Sequence, residues 1–363
     1  MPPLTLFAYI ARRTAFNAGA LWLALAAIIF LVDLVESLRF AGKVADGDFG
    51  LALRLTTLRT FGLSQALTPF VFLFAAIWTF AQLNRRAEIS VMRAAGLSIW
   101  RLIGPPALFA AVTGLAVVVV VDPASSRMTR AAEQLMDAAK GGGNLVRVFG
   151  DGIWLRQRDD GASLIVNAAS LDIAAARLSR VKVWRMDADD RFVERIDAPR
   201  ADITGKRIEL RDARMQAADQ KLPRRTPIYA LPAALSVADL SAGAPTPETM
   251  SIWALPRFIV AAEAAGLPTV RHRIRFHDLC STPLKLVAMV LIAAAFTLRP
   301  MRAGGAFQLL ISAIAAGFGL YVLAEVASAL GETGAAPAAL AAWTPAVAAA
   351  TAAATRLLHI EDG

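Results

Sequence analysis

Two groups of charged residues stand in this chain at places where charge is costly, and their chemistry is the first question. Glu88 lies in an arginine-rich segment, AQLNRRAEISVMRAAGLS (81–98), set between two apolar stretches. Arg39, Lys43, Arg54 and Arg59 crowd the polar loop ahead of it. Neither group has the makings of a catalytic centre. No Ser, His and Asp set stands out, and no G-x-x-x-x-G-K-[ST] run is present to cradle nucleotide phosphates. GGGN at 141–144 lacks the lysine and the preceding strand. His272 and His277, in RHRIRFHD, flank an apolar run and read as interfacial groups. With His359 as the third histidine and Cys280 as the one cysteine, no metal-ligand spacing and no internal disulfide can be built. The expectation is therefore no catalytic residue, no metal and no cofactor in this chain. What remains is charge used for placement and for binding.

The elements that position these charges follow from hydropathy. The chain is 56% hydrophobic with mean hydropathy +0.52, too apolar for an ordinary soluble domain. Its net charge of +9 would suit nucleic acid or an acidic membrane, so the position of the arginines decides. Six runs approach the roughly 20 apolar residues that a spanning helix needs: 15–35, 61–83, 102–121, 282–298, 307–330 and 336–354. Three precede a long polar stretch, 122–278, and three follow it. The first run is too long for a cleavable signal, and no small-residue cleavage motif follows it. Arg12 and Arg13, then Arg85, Arg86, Arg93 and Arg101, then Arg299 and Arg302, then Arg356 all fall on one side, which makes that side cytoplasmic. Arg39, Lys43, Arg54 and Arg59 fall on the other side, against the rule, and need a local reason. Glu325 lies well inside a span, where a carboxylate usually faces a partner or a cavity.

The polar stretch reads as β. LSRVKVWRMDADDRFVERI alternates Val181 and Val183 with Lys182 and Trp184, then turns at DADD. ADITGKRIELRDARM turns near 204–206, and GIWLRQRDDGASLIV turns at 159–161. Short strands at this spacing predict an antiparallel sandwich or open barrel. Helix-prone segments flank it: PASSRMTRAAEQLMDAAK before, and SIWALPRFIVAAEAAG after. On the inner side, Asn84 is placed to cap a helix over 84–99. At about 100° per residue, Ile89, Met92, Gly96 and Ile99 form an apolar stripe, with Arg86, Ser90 and Arg93 opposite and Glu88 at the stripe's edge. Pattern alone leaves two roles open: an interfacial connector whose arginines only enforce topology, or a docking helix. Any work against a gradient would need a partner's energy.

Three spans, an outer β domain, three spans and an inner helix reading RRAEISVMRAAGLS together resemble the lipopolysaccharide export permeases, the LptF/LptG family. VESLRFAG, PLKLVAMVLIAAAFTLRPMR and GFGLYVLAEVASALG add to the likeness, while the β domain matches only in layout. GIWLRQRDDGASLIV and SIWALPRFI look more like the LptG member. The resemblance implies an α-helical membrane protein with six transmembrane helices (3+3) and an inserted periplasmic all-β domain, a β-jellyroll. Residues 1–122 would hold spans one to three with a coupling helix at 84–99. A linker helix (123–143), the β domain (144–245), a second linker helix (246–275) and spans four to six (276–363) would follow.

The family further implies a bacterial inner-membrane location with both termini cytoplasmic, and lipopolysaccharide as cargo. It implies a heterodimer with an LptF-like paralogue, driven by an LptB-like cytoplasmic ATPase dimer that alone would carry ATP and magnesium. A single-span LptC-like protein and a periplasmic LptA-like bridge complete the partners, and nucleic acid has no place among them. On this reading Ile89, Met92 and Ile99 would fill a groove on the ATPase, with Gly96 on the same stripe. Glu88 would meet a basic group there, and Arg86 and Arg93 would belong to the same surface. Arg39, Lys43, Arg54, Arg59 and Arg130 would contact lipid phosphates, Arg bidentately; the bland alternative is snorkelling on ordinary anionic lipid. Leu31, Leu34, Leu38, Phe70, Phe74, Phe307 and Tyr321 would line a cavity for acyl chains, against the alternative of plain helix packing. Asp33 departs from the basic or neutral residue expected there, and an arginine partner for it is one reading. The competing functions are the LptF paralogue itself and a non-transporting membrane scaffold whose β domain binds a protein. An enzyme acting on lipid lacks a convergent acid, base or nucleophile.

Overall fold

The computed structural model describes residues 3–44, 47–139, 145–149, 152–159, 162–172, 175–187, 191–204, 207–217, 223–232, 245–298 and 306–362. Within these, the side chains of 3–4, 145–153, 155–159, 162, 232, 306–310 and 362 lie outside the description, as does the whole of 299–305 with Arg299 and Arg302. The chain divides into two units, Met1–Ala132 with Arg273–Gly363, and Glu133–His272.

The first unit is helical. Among the described residues, five helical stretches are each long and apolar enough to cross a membrane: Thr5–Ala41, Ile99–Ala139, Val270–Thr297, Ile311–Glu332 and Ala338–Glu361. The first belongs to α1 (Pro3–Ala41), whose 39 residues span about 58 Å at roughly 1.5 Å each, far more than a bilayer's apolar core. A sixth span exists only if two helices are joined. Where a straight helix over 61–83 is expected, the chain forms α2 (Phe49–Ala66) and α3 (Thr68–Arg85), bent by 60°. The cause is Pro69 in the first turn of α3, which has no N–H to give and whose ring excludes the carbonyl four residues back.

The third span runs longer than its apolar core. It continues from α5 (Ile99–Ala116) through a π-helical turn (Val117–Val121) into α6 (Asp122–Ala139). After the second unit come α8 (Val270–Thr297), α9 (Ala306–Glu332) and α10 (Ala338–Asp362). Phe80 and Leu83 of α3, Leu102 of α5, Leu286 and Val290 of α8 and Leu357 of α10 share one buried core. α5 and α8 approach to backbone contact, because a Cβ on Gly114 would lie 2.5 Å from Pro283 Cα. Near this seam Arg275 of α8 donates to the buried Asp122 carboxylate of α6 at 3.2 Å.

The second unit is a sheet with short helices. Its strands are β1 (Leu145–Phe149), β2 (Gly152–Asp159), β3 (Ala162–Ala168), β4 (Ser170–Asp172), β5 (Arg177–Met186), β6 (Phe192–Thr204), β7 (Arg207–Ala217) and β8 (Arg224–Pro232). They form one continuous antiparallel path, β1-β2-β3-β5-β6-β7-β8, with β4 added beside β5. The three hairpins close where the turn residues are: Asp159 pairs Ala162, Met186 pairs Phe192, and Thr204 pairs Arg207. α7 (Leu255–Ala264) follows the sheet, and the carbonyl of Ala265 just beyond it accepts from the Leu171 N–H at 2.8 Å.

One level of this sheet is irregular across four strands. Continuing the register places Arg180, Pro199, Asp212 and Pro227 side by side, and none of the four pairs in the ladder. Both prolines lack the N–H that a ladder needs. Facing them, Arg180 and Asp212 take φ of 49° and 56°, the left-handed region. The alternation of buried side chains slips by one residue here. Leu178 is buried and then Val181; Ala198 and then Ala201; Leu210 and then Ala213. The sheet therefore carries a transverse crease at which each strand turns two successive residues outward.

Candidate functional site

The segment around Glu88 is built from three helices. α4 (Glu88–Ala94) has seven residues, shorter than the expected 84–99. Asn84 does not cap it. That residue belongs to α3, and its side-chain amide donates to the Thr297 carbonyl at 3.4 Å. The residue ahead of α4 is instead Ala87, in a left-handed conformation at φ 55°. At the other end Gly96, φ +79°, donates to the Arg93 carbonyl at 2.9 Å while Leu97 donates to Met92 at 3.1 Å. That bond pair stops a helix and needs a residue free to adopt positive φ. Gly96 is thus the terminator of α4 and not part of its apolar stripe. Ser98 then caps α5 by accepting from the Arg101 N–H at 3.4 Å.

The apolar stripe of α4 faces its own chain. Ile89 is 5% exposed and Ile99 1%, both in the shared helical core, with Met92 packed against it. Ile89 and Ile99, expected to fill a partner's groove, are thus turned into their own chain's core, while Met92 stays half-buried at its edge. The outward face is Arg86, Ser90, Val91, Arg93 and Ala94, with Val91 67% exposed.

Glu88 is the centre of a polar cluster. Tyr9 of α1 donates its hydroxyl to Glu88 Oε2 at 3.2 Å, and Arg13 Nη1 lies 3.7 Å from Oε1. Arg13 also donates to Tyr9 Oη at 2.6 Å and to Gln82 Oε1 of α3 at 2.9 Å. One arginine thereby ties α1, α3 and α4 together. The Glu88 side chain keeps 28% of its surface open and Arg13 15%, so the cluster is half-sheltered. Arg13 reads in the sequence as a topology signal. Tyr9 and Arg13 one turn apart were the available clue, but a partner 79 residues away is not legible from spacing.

At the opposite end of α1 the expected phosphate ligands separate. Arg59 of α2 is 3.3 Å from Asp33 of α1, whose side chain is 7% exposed, and Ser37 also donates to that carboxylate at 3.4 Å. Arg59 is thus paired with Asp33 and keeps about a third of its side chain exposed. Arg39 is exposed, 3.9 Å from Glu36 one turn back, a surface pair of little energetic weight. Lys43, Arg54 and Arg130 are exposed. Arg39 sits on the rim of an open groove of about 850 Å³ whose apolar walls are Ile28, Val32, Val35, Leu63 and Leu67.

The groove's walls differ from the residues expected to line an acyl-chain cavity. Leu31 and Leu38 are exposed and Leu34 half-buried, and none of the three lines it. The second wall is created by the bend at Leu67, which a straight span would not form. The Phe70 and Tyr321 rings do meet, 5.5 Å apart, and Phe74 packs against the helical core. The side chain of Phe307 lies outside the described residues. Glu325 is exposed on α9. Among the described residues no group of His, Cys, Asp and Glu could hold a metal ion.

The family described as Lipopolysaccharide export system permease LptF/LptG matches residues 8–359, nearly the whole chain. The chain belongs to that family. No curated protein matches it. As a permease of the lipopolysaccharide export system it is a transporter subunit rather than an enzyme in its own right, and it works in a complex with permease partners. The permease is a multi-pass helical membrane protein with an antiparallel β insert, and the groove and the polar cluster lie at opposite ends of its first helix.

Proposed function

We propose that this permease is the LptG-like half of an ATP-driven heterodimer, with an LptF-like paralogue as its mate and α4 as the element that receives the motor's movement. The observation that carries the reading is the Glu88 cluster. A helix of seven residues would fray if left alone. Here its buried stripe is sunk in the core, and Glu88, Tyr9, Arg13 and Gln82 bind it to α1 and α3. A push on the outward face of Arg86, Val91 and Arg93 then moves two spanning helices as one body.

In this reading the motor is a cytoplasmic LptB-like ATPase dimer holding ATP and magnesium, and both chain termini face it. The β insert is a periplasmic jellyroll. It hands the glycolipid, lifted from the inner membrane with an LptC-like protein alongside, to an LptA-like bridge. Arg39 at the groove rim meets a lipid phosphate while the groove holds acyl chains, and Lys43, Arg54 and Arg130 add cationic surface at the same headgroup depth.

The test is reconstitution with the candidate partners in liposomes, reading lipopolysaccharide-stimulated ATP hydrolysis. Glu88→Ala should lower the stimulated rate at least tenfold while the complex still assembles. An unchanged stimulated rate in an assembled Glu88→Ala complex would overturn the reading.

A further inference from the structure

The crease in the β-sheet gathers cations that the sheet does not use. Lys182, Asp197, Arg214 and Arg225 stand in one row across β5 to β8, each the register partner of the next. The creased row lies two residues away, so Arg180 and Asp212 open on the same side. Together these six residues line an open cavity of about 870 Å³. Four cations there face two carboxylates, and one of the carboxylates is already taken. Arg195 binds both oxygens of Asp197, each at 3.0 Å. Arg180, Lys182, Arg214 and Arg225 form no ion pair among the described residues.

Arg214 and Arg225 are moreover directly opposite each other, and like charges in that position repel. The rest of the face is handled differently. Beyond the crease, Asp202 accepts from Arg177 at 2.9 Å and from Arg211 at 2.5 Å, so one carboxylate serves both of those cations. The crease thus sets four cations around one hollow, two of them in register, with one uncommitted carboxylate among them.

We propose that the crease is a binding site for phosphate groups, with Arg214 and Arg225 as the paired donors and Arg180 and Lys182 closing the ring. Guanidinium groups hold phosphate through two parallel N–H bonds, and an anion between Arg214 and Arg225 turns repulsion into attraction at both. Arg180 lies two residues along β5 from Lys182 and so opens on the same side of the strand, where both line the cavity. The phosphate comes either from the head group of the glycolipid in transit or from free phosphate. The first source rests on the export reading above, whereas the anion site itself does not.

The test uses the full chain in zwitterionic detergent, without the motor, so that its outcome is separate from that of the ATPase experiment. Calorimetric titration compares three probes: inorganic pyrophosphate, the deacylated glycan of lipopolysaccharide with its phosphates, and the same glycan after phosphatase treatment. Kd for the phosphorylated glycan should rise at least tenfold in Arg214→Gln/Arg225→Gln and stay unchanged in Arg177→Gln, which alters the satisfied side of the crease. The phosphatase-treated glycan should not bind. If the glycan binds more tightly than pyrophosphate, the head group is the source; if pyrophosphate binds as well, free phosphate is. Equal binding by the double variant and the native chain, or undiminished binding of the phosphatase-treated glycan, would overturn the proposal. The thermal midpoint of the double variant should hold or rise, because a repulsion has been removed. Should that variant fail to fold, Arg225→Gln alone, on the edge strand, carries the same comparison.

Discussion

Asp33 and Glu88 are two carboxylates bound to the same helix, one held within it toward its C-terminal end and one against it near its N-terminal end. Asp33 is buried, with Arg59 and Ser37 as its partners. Glu88 is part open to solvent, with Tyr9 and Arg13. The Asp33 pair locks α1 to α2 beside the open groove, whose lining includes Asp33 itself. The Glu88 cluster holds α4 while leaving room for another cation to approach. One tie is nearly closed to solvent on its carboxylate side, and the other stays part open.

The comparison breaks most visibly at its buried end. Arg59→Ala leaves a carboxylate unpaired in a low-dielectric setting and should cost about 3 kcal/mol, the lower part of the range for such losses because Arg59 is a third exposed. Thermal unfolding in detergent would show it, and Asp33→Asn added to Arg59→Ala should restore most of the loss. If Arg59→Ala melts like the native chain, the Asp33 tie is ornamental. At the Glu88 end Gly96→Ala forces a Cβ onto a backbone at φ +79° and should cost about 1 kcal/mol, seen as faster amide exchange confined to α4. Tyr9→Phe removes one donor from Glu88 but leaves Arg13 in place. It should cost roughly 0.5–1.5 kcal/mol and should lower stimulated ATP hydrolysis less than Glu88→Ala does.

The smallest effect belongs to a third carboxylate. Asp202 is held below the ordinary carboxylate value by hydrogen bonds first from Arg177 and then from Arg211. A depressed folded value means a contribution that is present above the unfolded pKa and is lost as pH falls through the folded one. Stability should therefore fall more steeply below about pH 4 in the native chain than in Asp202→Asn, as read from the β signal in circular dichroism. Exposure keeps the difference slight.

Sequence periodicity carries the layout well and the ties poorly. The apolar runs and the hairpins are local patterns, so their positions can be read from turn residues and from runs of about twenty apolar residues. Pro69 was a visible sign that the second span must bend, and it passes unnoticed inside a hydrophobic run. The face that α4 presents could not be read from its own residues. Amphipathicity says that Ile89 and Ile99 seek an apolar neighbour, not whether that neighbour belongs to this chain. The crease had a sequence trace too, in the paired outward residues S-R, P-R and R-D at 179–180, 199–200 and 211–212, where alternation stumbles at matching places in three strands.

The account turns on which face of α4 meets the motor, and site-specific photo-crosslinking during export reads that directly. A crosslinker at position 91 should form an adduct with the nucleotide-hydrolysing partner, and one at position 89 should react only within the permease. Adducts with the partner from position 89, or none from position 91, would contradict it.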